Sequence, residues 1–315
     1  MTTPVKKKLK ATKIRYLGKT SDVYKIWIGN FFLTMITLGI YRFWGKTRLR
    51  KYVANHLELN SERFEYLGTG KELFLGFLKI IPIYLVVMLP FILLPESMKM
   101  MIMPLFYILV FYIIHVAVYS ALRYRVNRLS WSGIRGIMRG SAWAYGKTGL
   151  MRTFLNVITL GYKIPESDII LYGKRIDEMS FGNIPFKFAG NAKNLIRINI
   201  ITILLAPFTL FFSRIWYQAA LQKEFMRGTS LDNFRFKSMF SGLDLLKHVF
   251  INLLIFVFTL GLGTPIIMQR NLQFFVRNLI IGGDIDTSKV IQEAKQNPGS
   301  AEGLDDLFDL DTGLI

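Results

Sequence analysis

The chain has 315 residues, of which 52% are hydrophobic. This composition, with a mean hydropathy of +0.34, excludes an ordinary soluble domain and predicts a polytopic membrane protein. The sequence contains no cysteine, which excludes disulfides, thiolate metal sites and cysteine nucleophiles. Its net charge of +19 predicts anionic partners. Because the cations lie in short blocks between long apolar runs, and no nucleic-acid-binding motif is present, we expect those partners to be anionic membrane lipids rather than nucleic acid.

Residues 1–25 hold eight basic residues and one acid, and they lack the apolar core of a signal peptide. We interpret them as a basic cytoplasmic tail. The next segment, Ile26–Tyr41, has 16 uncharged residues, fewer than the roughly 20 that a perpendicular membrane span needs. Since cations flank it on both sides, we expect residues 26–44 to be re-entrant or interfacial. The alternative is a full crossing that leaves the basic tail outside, against the positive-inside rule.

Two longer apolar runs, Leu73–Leu94 and Met100–Leu122, are separated by a short turn. Each is long enough to cross a bilayer, so together they predict a transmembrane hairpin over residues 73–122. The basic loops 44–71 and 122–148 then lie on the same side of the membrane, and their charge predicts that this side is the cytoplasm.

The second half of the chain has shorter apolar runs. Thr153–Tyr162 has only ten uncharged residues, so the segment 150–164 is too short to span unaided, and Ile198–Ser213 has 16. Val249–Gln269 has 21 and predicts a further span. The basic loop 214–247 fits neither side of this scheme.

A sequence motif recurs along the chain. It consists of an asparagine, then Thr-Leu-Gly, and, 29 residues after that glycine, a second glycine that ends the pattern Phe-x-[Phe/Tyr]-x-Gly. The third copy lacks the second glycine, since Val290 stands there. A period of this kind is typical of repeated supersecondary units. The copies begin at Asn30, Asn156 and Asn252, and their first glycines are Gly39, Gly161 and Gly261.

Each copy predicts the same structural unit. The apolar run is a helix that stops at the glycine, where a positive φ costs little. A polar helix follows, and then two short strands in which apolar and polar residues alternate, as in Phe64-Glu65-Tyr66. We therefore predict a mainly α, polytopic membrane protein built from degenerate repeats, each combining a TLG-ended helix with a short cytoplasmic β-hairpin. Because isolated hairpins are marginally stable in water, we expect the hairpins to pair into one sheet.

The predicted units divide the chain into five parts. The basic tail 1–25 is followed by repeat unit 26–122, which contains the transmembrane hairpin. Repeat unit 123–245 and the partial repeat unit 246–290 come next. Residues 291–315 form an acidic tail that we expect to be flexible.

The asparagine, the Thr-Leu-Gly turn, the aromatic residues and cations after it, and the closing Phe-x-[Phe/Tyr]-x-Gly resemble the YjgN-like family of bacterial inner-membrane proteins. The resemblance covers roughly residues 14–290 and is strongest over Thr37–Gly70. Phe43 before Trp44 departs from it, because the family tends to have proline there. The family has no established molecular function, so the resemblance implies a location in the inner membrane but no activity.

Four polar residues lie within the apolar runs. His115 lies in the longest one, where an ionisable group is costly; it is either a functional site or a neutral histidine bonded to a neighbouring helix. Asn30, Asn156 and Asn252 fall at corresponding places in the units. An unpaired amide in hydrocarbon costs several kcal/mol, so each needs a partner, either on a neighbouring helix or along a polar path through the repeats.

The basic loop after the transmembrane hairpin contains turn glycines and no acid over residues 122–148. Its exposed backbone amides and arginines make a candidate site for a lipid phosphate, although a positive-inside loop explains the same residues. The candidates are Arg123, Arg125, Arg128, Arg135 and Arg139.

The sequence contains no Ser-His-Asp set, paired acid cluster, nucleotide-binding fingerprint or metal-ligand spacing. We therefore expect no enzymatic activity, cofactor or metal. Two functions remain: a transporter or channel for a small solute, built from repeats and interrupted helices, or a structural or lipid-contacting protein whose basic cytoplasmic face binds anionic headgroups. A continuous polar cavity through the bilayer region favours the first function, and a solid apolar core favours the second.

The charge distribution predicts that Met1 and Ile315 both lie in the cytoplasm. We expect a reporter enzyme that is active only in the cytoplasm to be active when it is fused to either terminus. A reporter that is active only outside the inner membrane should be inactive at both ends, and activity of that reporter at either end would contradict this orientation.

Overall fold

The computed structural model describes residues 13–283, so the predicted acidic tail 291–315 and the first 12 residues of the basic tail lie outside the described range. Within that range the chain is mostly helical, and pairs of helices alternate with pairs of strands. The helices are α1 Thr20–Ile36, α2 Arg42–Asn55, α3 Gly70–Leu93, α4 Glu96–Asn127, α5 Ala142–Ile158, α6 Ile164–Asp177, α7 Lys193–Leu205, α8 Arg214–Gly228, α9 Gly242–Phe258 and α10 Thr264–Asn278. The strands are β1 Arg15–Tyr16, β2 Leu57–Leu59, β3 Glu62–Tyr66, β4 Leu129–Trp131, β5 Ile134–Met138, β6 Met179–Phe181, β7 Ile184–Phe188, β8 Thr229–Leu231, β9 Phe234–Ser238 and β10 Leu279–Gly282.

The ten strands form one antiparallel sheet whose spatial order is the order of the chain, from β1 to β10. This confirms the prediction that the hairpins pair into a single sheet. Apolar side chains from strands far apart in that order meet in one cluster, so the sheet curls around an apolar centre. The buried members of the cluster are Leu59, Trp131, Leu231, Phe234 and Ile281.

The helices form a closed ring around the same axis. Each helix packs against the next along the chain, with Phe91 of α3 meeting Phe106 of α4, and α1 packs against α10. At that closure the Tyr24 hydroxyl donates a hydrogen bond to the Leu262 carbonyl at 3.2 Å. The second helices of the pairs lie on the inner side, since α6 contacts α8, and α2, α4 and α10 line one cavity.

Four of the five helix pairs are joined by the same tight turn. In the first, Leu38 and Gly39 adopt φ values of 50° and 93°. The Thr37 hydroxyl donates to the Leu33 carbonyl at 2.7 Å and accepts the Tyr41 N–H at 2.9 Å, so one side chain ties the end of α1 to the start of α2. Both hydrogen bonds recur at Thr159, Thr209 and Thr259.

The turn at Thr209 is a further copy that the sequence motif misses. Leu210 and Phe211 adopt φ values of 47° and 66°, so a phenylalanine takes the left-handed conformation that glycine takes elsewhere. The basic segment 214–247, which had no place in the predicted scheme, therefore contains α8, β8, β9 and the beginning of α9.

The turns also decide which apolar runs are single helices. The prediction of a span over Val249–Gln269 is wrong, because the chain reverses at Thr259 and the run belongs to both α9 and α10. Ile26–Trp44 is likewise divided between α1 and α2. The expectation that residues 26–44 do not form one straight crossing helix is confirmed.

The closing glycine of the Phe-x-[Phe/Tyr]-x-Gly pattern makes room for the aromatic ring two residues earlier. A Cβ on Gly68 would lie 2.7 Å from the Tyr66 ring, and a Cβ on Gly190 would lie 2.2 Å from the Phe188 ring. Both distances are far shorter than van der Waals contact. Glycine at this position therefore lets the ring fold back over the strand end, where it packs against the adjacent helices.

The turn hydroxyl gives a direct test of this architecture. Thr159→Val keeps the branched shape but removes the hydrogen bonds to Leu155 and Lys163. We expect the free energy of unfolding of the detergent-solubilised protein to fall by about 1 kcal/mol. Thr159→Ser, which keeps the hydroxyl, should lose less than half as much, and equal losses for the two variants would contradict the role of the hydroxyl.

Candidate lipid-contacting surface

The helix pair α3 and α4 carries the predicted transmembrane hairpin. In the described part of the chain, α4 is the one helix that is both long and apolar enough to cross a membrane, with a mean hydropathy of 2.3 over its most apolar part, of which 11% is buried. Its partner α3 has 24 residues and exposes apolar side chains such as Val86, Ile92 and Leu93. Apolar helices that expose most of their surface match a bilayer rather than water.

The tips of the other four helix pairs are apolar and exposed. Leu38, Leu160, Leu210 and Leu260, the left-handed leucines of the turns, are 94%, 88%, 79% and 91% exposed. An exposed apolar residue lies two positions before each of them in the chain. These are Ile36, Ile158, Phe208 and Phe258. Together the tips form an apolar surface at the end of the ring opposite the sheet, of a kind that marks contact with a membrane or a partner.

A set of lysines surrounds the opposite end of the same helices. Every first helix of a pair begins directly after the sheet and carries one exposed lysine within its first six residues. We call this set the lysine girdle. It places cations at the sheet end of the apolar helix faces, where the headgroups of a bilayer would lie. Its members are Lys25, Lys71, Lys147, Lys193 and Lys247.

The base of the α3–α4 hairpin is clamped by Glu72. Thr69 and Glu72 form a capping box at the start of α3, and the Glu72 carboxylate also accepts hydrogen bonds from the Tyr124 hydroxyl at 2.8 Å and from Arg128 Nε at 3.1 Å. Burial opposes ionisation of Glu72, but the hydrogen bonds and the charge of Arg128 outweigh it and hold the pKa of this carboxyl below its ordinary value. The clamp therefore fixes the two ends of the apolar hairpin to each other.

His115 lies where α4 packs against α5. Its imidazole is bonded to the Phe111 carbonyl of its own helix at 2.8 Å, and its other nitrogen lies 3.5 Å from the Thr153 hydroxyl. A Cβ on Gly149 would lie 2.1 Å from the ring, so a glycine is needed opposite it. These contacts correspond to a histidine bonded at a helix interface.

The three predicted asparagines join the helices of their own pairs. Asn30 donates to the Gly45 carbonyl at 3.1 Å, and Asn252 donates to Asn271 at 2.8 Å. Asn156 accepts from a serine hydroxyl of α6 at 2.8 Å. The expectation that they occupy corresponding positions is corrected: Asn30 and Asn252 lie seven residues before the turn threonine, whereas Asn156 lies three before it.

One polar residue of the same kind was missed by sequence reasoning. Asn199 on α7 is fully buried, donates to the Gly161 carbonyl at 2.8 Å and accepts from Arg214 at 2.9 Å. It connects α7 to α8 of its own pair and also to the turn of the neighbouring α5–α6 pair. In the sequence, Asn199 is an amide at the start of the apolar run Ile198–Ser213. The recurring motif does not identify it, because no Thr-Leu-Gly follows.

The five candidate arginines do not converge on one phosphate site. Arg123 is buried and donates to a backbone carbonyl, Arg128 is ion-paired with the glutamate of the clamp, and Arg125 lines an internal cavity. Arg135 and Arg139 are exposed at the sheet. The segment 122–148 is the end of one helix, a hairpin and the start of another, so its arginines point to different surroundings. In the described residues, no group of three His, Cys, Asp or Glu side chains is placed to hold a metal ion.

One helix that is long and apolar enough to cross a bilayer, set in a ring of helices with exposed apolar faces, indicates a helical membrane protein with a sheet at one end. The chain belongs to the family described as "Bacterial protein of unknown function (DUF898)", which matches residues 11–212 and 199–307. The match covers nearly all of the ring. It assigns the architecture to a bacterial family without assigning an activity.

Two named relatives are inner membrane proteins. Over 71 residues the chain is 39% identical to the inner membrane protein YjgN of Salmonella typhimurium, and over 72 residues it is 32% identical to the inner membrane protein YjgN of Escherichia coli K12. These matches cover 22% and 23% of this chain and 18% of each relative, so the chain matches less than a fifth of their length. The resemblance to YjgN-like inner-membrane proteins is confirmed. No solved structure matches the chain.

The clamp at Glu72 predicts a specific pH dependence. A carboxyl whose pKa is lowered by folding stabilises the protein above its unfolded-state pKa, about 4.3 for glutamate, and that stabilisation is lost as the pH falls through the folded-state value. We expect Glu72→Gln to unfold at a lower temperature than the wild type at pH 6, with a smaller difference at pH 3. Glu62→Gln, on exposed β3, is the matched control. A difference for Glu72→Gln that is the same at both pH values would contradict the clamp.

Proposed function

We propose that the protein is a multi-pass inner-membrane protein that contacts anionic lipid and has a structural rather than catalytic role. In this proposal α3 and α4 cross the bilayer, the other four helix pairs enter it from the sheet side and turn back, and the sheet lies in the cytoplasm. The observation that carries the proposal is that each first helix has an exposed lysine within its first six residues and the pair ends at an exposed apolar tip.

The helix lengths support re-entrant pairs. α1, α5 and α9 have 17 residues each, which is about 26 Å at 1.5 Å per residue, against roughly 30 Å of hydrocarbon. The second helices are polar and follow the turn at once, so they return through the protein side of the ring. The α3–α4 pair lacks the tight turn and is longer, as a crossing pair requires.

The recurring order of two helices and two strands supports a repeat origin for the ring. We propose five units: α1 to β3, α3 to β5, α5 to β7, α7 to β9, and α9 to β10 with β1. This division replaces the three units of the sequence prediction. Within it the lysine girdle supplies one cation from every unit.

In this proposal the lysine girdle binds anionic headgroups of the cytoplasmic leaflet. A lysine near an anionic membrane surface contributes about 1 kcal/mol, and five act together on a ring that is already held in the bilayer. The outer face of the sheet adds exposed cations such as Arg135, Lys187, Arg235 and Lys237. This distribution supports a cytoplasmic sheet by the positive-inside rule.

The girdle can be tested by its lipid selectivity. The five substitutions Lys→Gln at Lys25, Lys71, Lys147, Lys193 and Lys247 should leave the ring folded, since all five side chains are exposed. In bilayers that mix phosphatidylcholine with a spin-labelled phosphatidylglycerol, we expect the fraction of immobilised anionic lipid around the wild type to exceed that around the variant. Raising the salt concentration should remove most of this difference.

The matched control removes four charges from the outer face of the sheet, with glutamine at Arg135, Lys187, Arg235 and Lys237. These residues lie further from the apolar helix faces, so this variant should keep most of the selectivity. If both variants lose selectivity equally, net charge rather than the girdle holds the lipid. If neither loses it, the lipid-contacting proposal fails.

A transporter or channel for a small solute is the second candidate. The cavity inside the ring, lined by α2, α4 and α10, favours it. The apolar cluster of Leu59, Trp131 and their neighbours opposes it, because a solid apolar centre at the level of the sheet would have to open. Solute flux through proteoliposomes that rises when Trp131 is replaced by alanine would support transport over a purely structural role.

A further inference from the structure

A groove of about 750 Å³ lies on the surface of the ring between the fourth and fifth helix pairs. The first helices α7 and α9 form its walls, and α8, which packs against both, forms its floor. Its apolar lining includes Ile201 and Leu205 on α7, Trp216 on α8, and Leu246 and Phe250 on α9. A volume of this size is typical of a site for a small ligand, not of an ordinary gap between packed side chains.

The groove lies at a junction that is filled elsewhere in the ring. In α1, α3 and α9 the fifth residue faces the preceding helix pair. In α1 it is Tyr24, whose hydroxyl donates to the Leu262 carbonyl at 3.2 Å. In α3 it is Phe74, whose ring centroid lies 5.6 Å from that of Trp44 on α2. In α9 the residue is Leu246, which lines the groove. Because leucine reaches less far than an aromatic ring, the junction before α9 stays open.

The groove has the length of one lipid leaflet. On the fourth helix pair its lining runs from Ile198 to Thr209, a distance of about 16 Å along the helix axis at 1.5 Å per residue. Half of a hydrocarbon core of roughly 30 Å is about 15 Å. The groove begins near the sheet, at the level of the lysine girdle, and ends at the turn beside the exposed Leu210. Its length and direction therefore match one acyl chain that descends from a headgroup.

Cations lie at the sheet end of the groove. Lys247 of the girdle lines it directly, and Arg197 is exposed on α7 one turn before Ile201. Asp244 lies one turn before Lys247, and its carboxylate accepts hydrogen bonds from the N–H and the hydroxyl of Ser241 in the capping box of α9. Two cations beside one acid leave a net positive charge at this end, which complements the phosphate of an anionic headgroup.

We propose that this groove binds one acyl chain of an anionic phospholipid, with the phosphate at Lys247 and the chain running toward the turn at Thr209. The site rests on the proposed function, since the groove meets acyl chains only where the first helices lie in the bilayer. It also goes beyond the girdle, because it assigns one lipid to one place on the ring. A second copy of the chain is a poorer occupant, since it would bury the charge of Lys247 against apolar helix faces.

The indole of Trp216 can report occupation of the groove. The relevant signal is the part of the fluorescence that is lost in Trp216→Phe. Phosphatidylglycerol with brominated acyl chains is titrated into the protein in mild detergent, because bromine quenches a tryptophan that it contacts. We expect the quenching of the Trp216 signal to saturate at one lipid per protein. Brominated phosphatidylcholine should bind about fivefold more weakly, which is the effect of one lysine near an anionic group.

Two pairs of variants separate this site from unspecific lipid contact. Leu246→Phe places in α9 the residue type that fills the same position of α3, and it should weaken binding of phosphatidylglycerol by at least about tenfold. Leu243→Phe, on an exposed part of α9 outside the groove lining, is the matched control and should bind like the wild type. Lys247→Gln should remove most of the preference for phosphatidylglycerol. Lys147→Gln, at the same position of α5, should keep it. Circular dichroism checks that each variant is folded.

The proposal is overturned if the quenching of the Trp216 signal rises with lipid without saturating, or if Leu246→Phe binds phosphatidylglycerol like the wild type. It is also overturned if a brominated fatty acid binds more tightly than the phospholipid, or if light scattering detects a dimer that Leu246→Phe dissociates. Leu246→Phe keeps all five lysines of the girdle, so it should leave the lipid selectivity of the girdle in bilayers unchanged. The proposed function therefore fails on the girdle variant, and the groove site fails on Leu246→Phe.

Discussion

The reversal of the chain at the threonine turns is the constraint on which the rest of the structure depends. A run of about 17 apolar residues would continue as a helix unless the backbone were forced to turn, and two consecutive residues with positive φ accomplish this. The threonine hydroxyl compensates by bonding the last turn of one helix to the first turn of the next. Because the same solution occurs in four of the five helix pairs, the first helix of each of these four has an exposed tip at one end and the sheet at the other.

Local parts of this architecture could be predicted from the sequence. Thr37-Leu38-Gly39 and its two clearest copies end helices because glycine adopts positive φ at little cost, and the alternation in Phe64-Glu65-Tyr66 defines a strand. The α3–α4 helical hairpin, of which α4 is long and apolar enough to cross a membrane, followed from length and hydropathy alone. The failures have equally local causes. The turn at Thr209 was not predicted, because Phe211 stands where the other turns have glycine. The uncharged residues continue past Gly261, so their number predicted one span where the structure has two antiparallel helices.

Non-local features could not be predicted in this way. The closure of the ring between Tyr24 and Leu262 joins positions that nothing in the sequence pairs. The lysine girdle consists of single residues that look like ordinary loop charges until the starts of five helices are placed side by side. Conversely, the arginines of residues 122–148 are close in sequence but face a helix interface, a carboxylate, a cavity and the sheet surface. Proximity along the chain was a poor guide to a shared site in this protein.

The two edge strands have a consequence for how the ring is made. β1 precedes the first helix and β10 follows the last, so the unit completed by these two strands is divided between the beginning and the end of synthesis. Four units can form their own hairpins as they leave the ribosome. The side of the ring that contains β1, however, is complete only after more than 250 further residues have been synthesised. The barrier to assembly therefore lies in one late, long-range closure. A circular permutant that begins at β10 and runs through a short linker into β1 would make that unit local and would remove the delay.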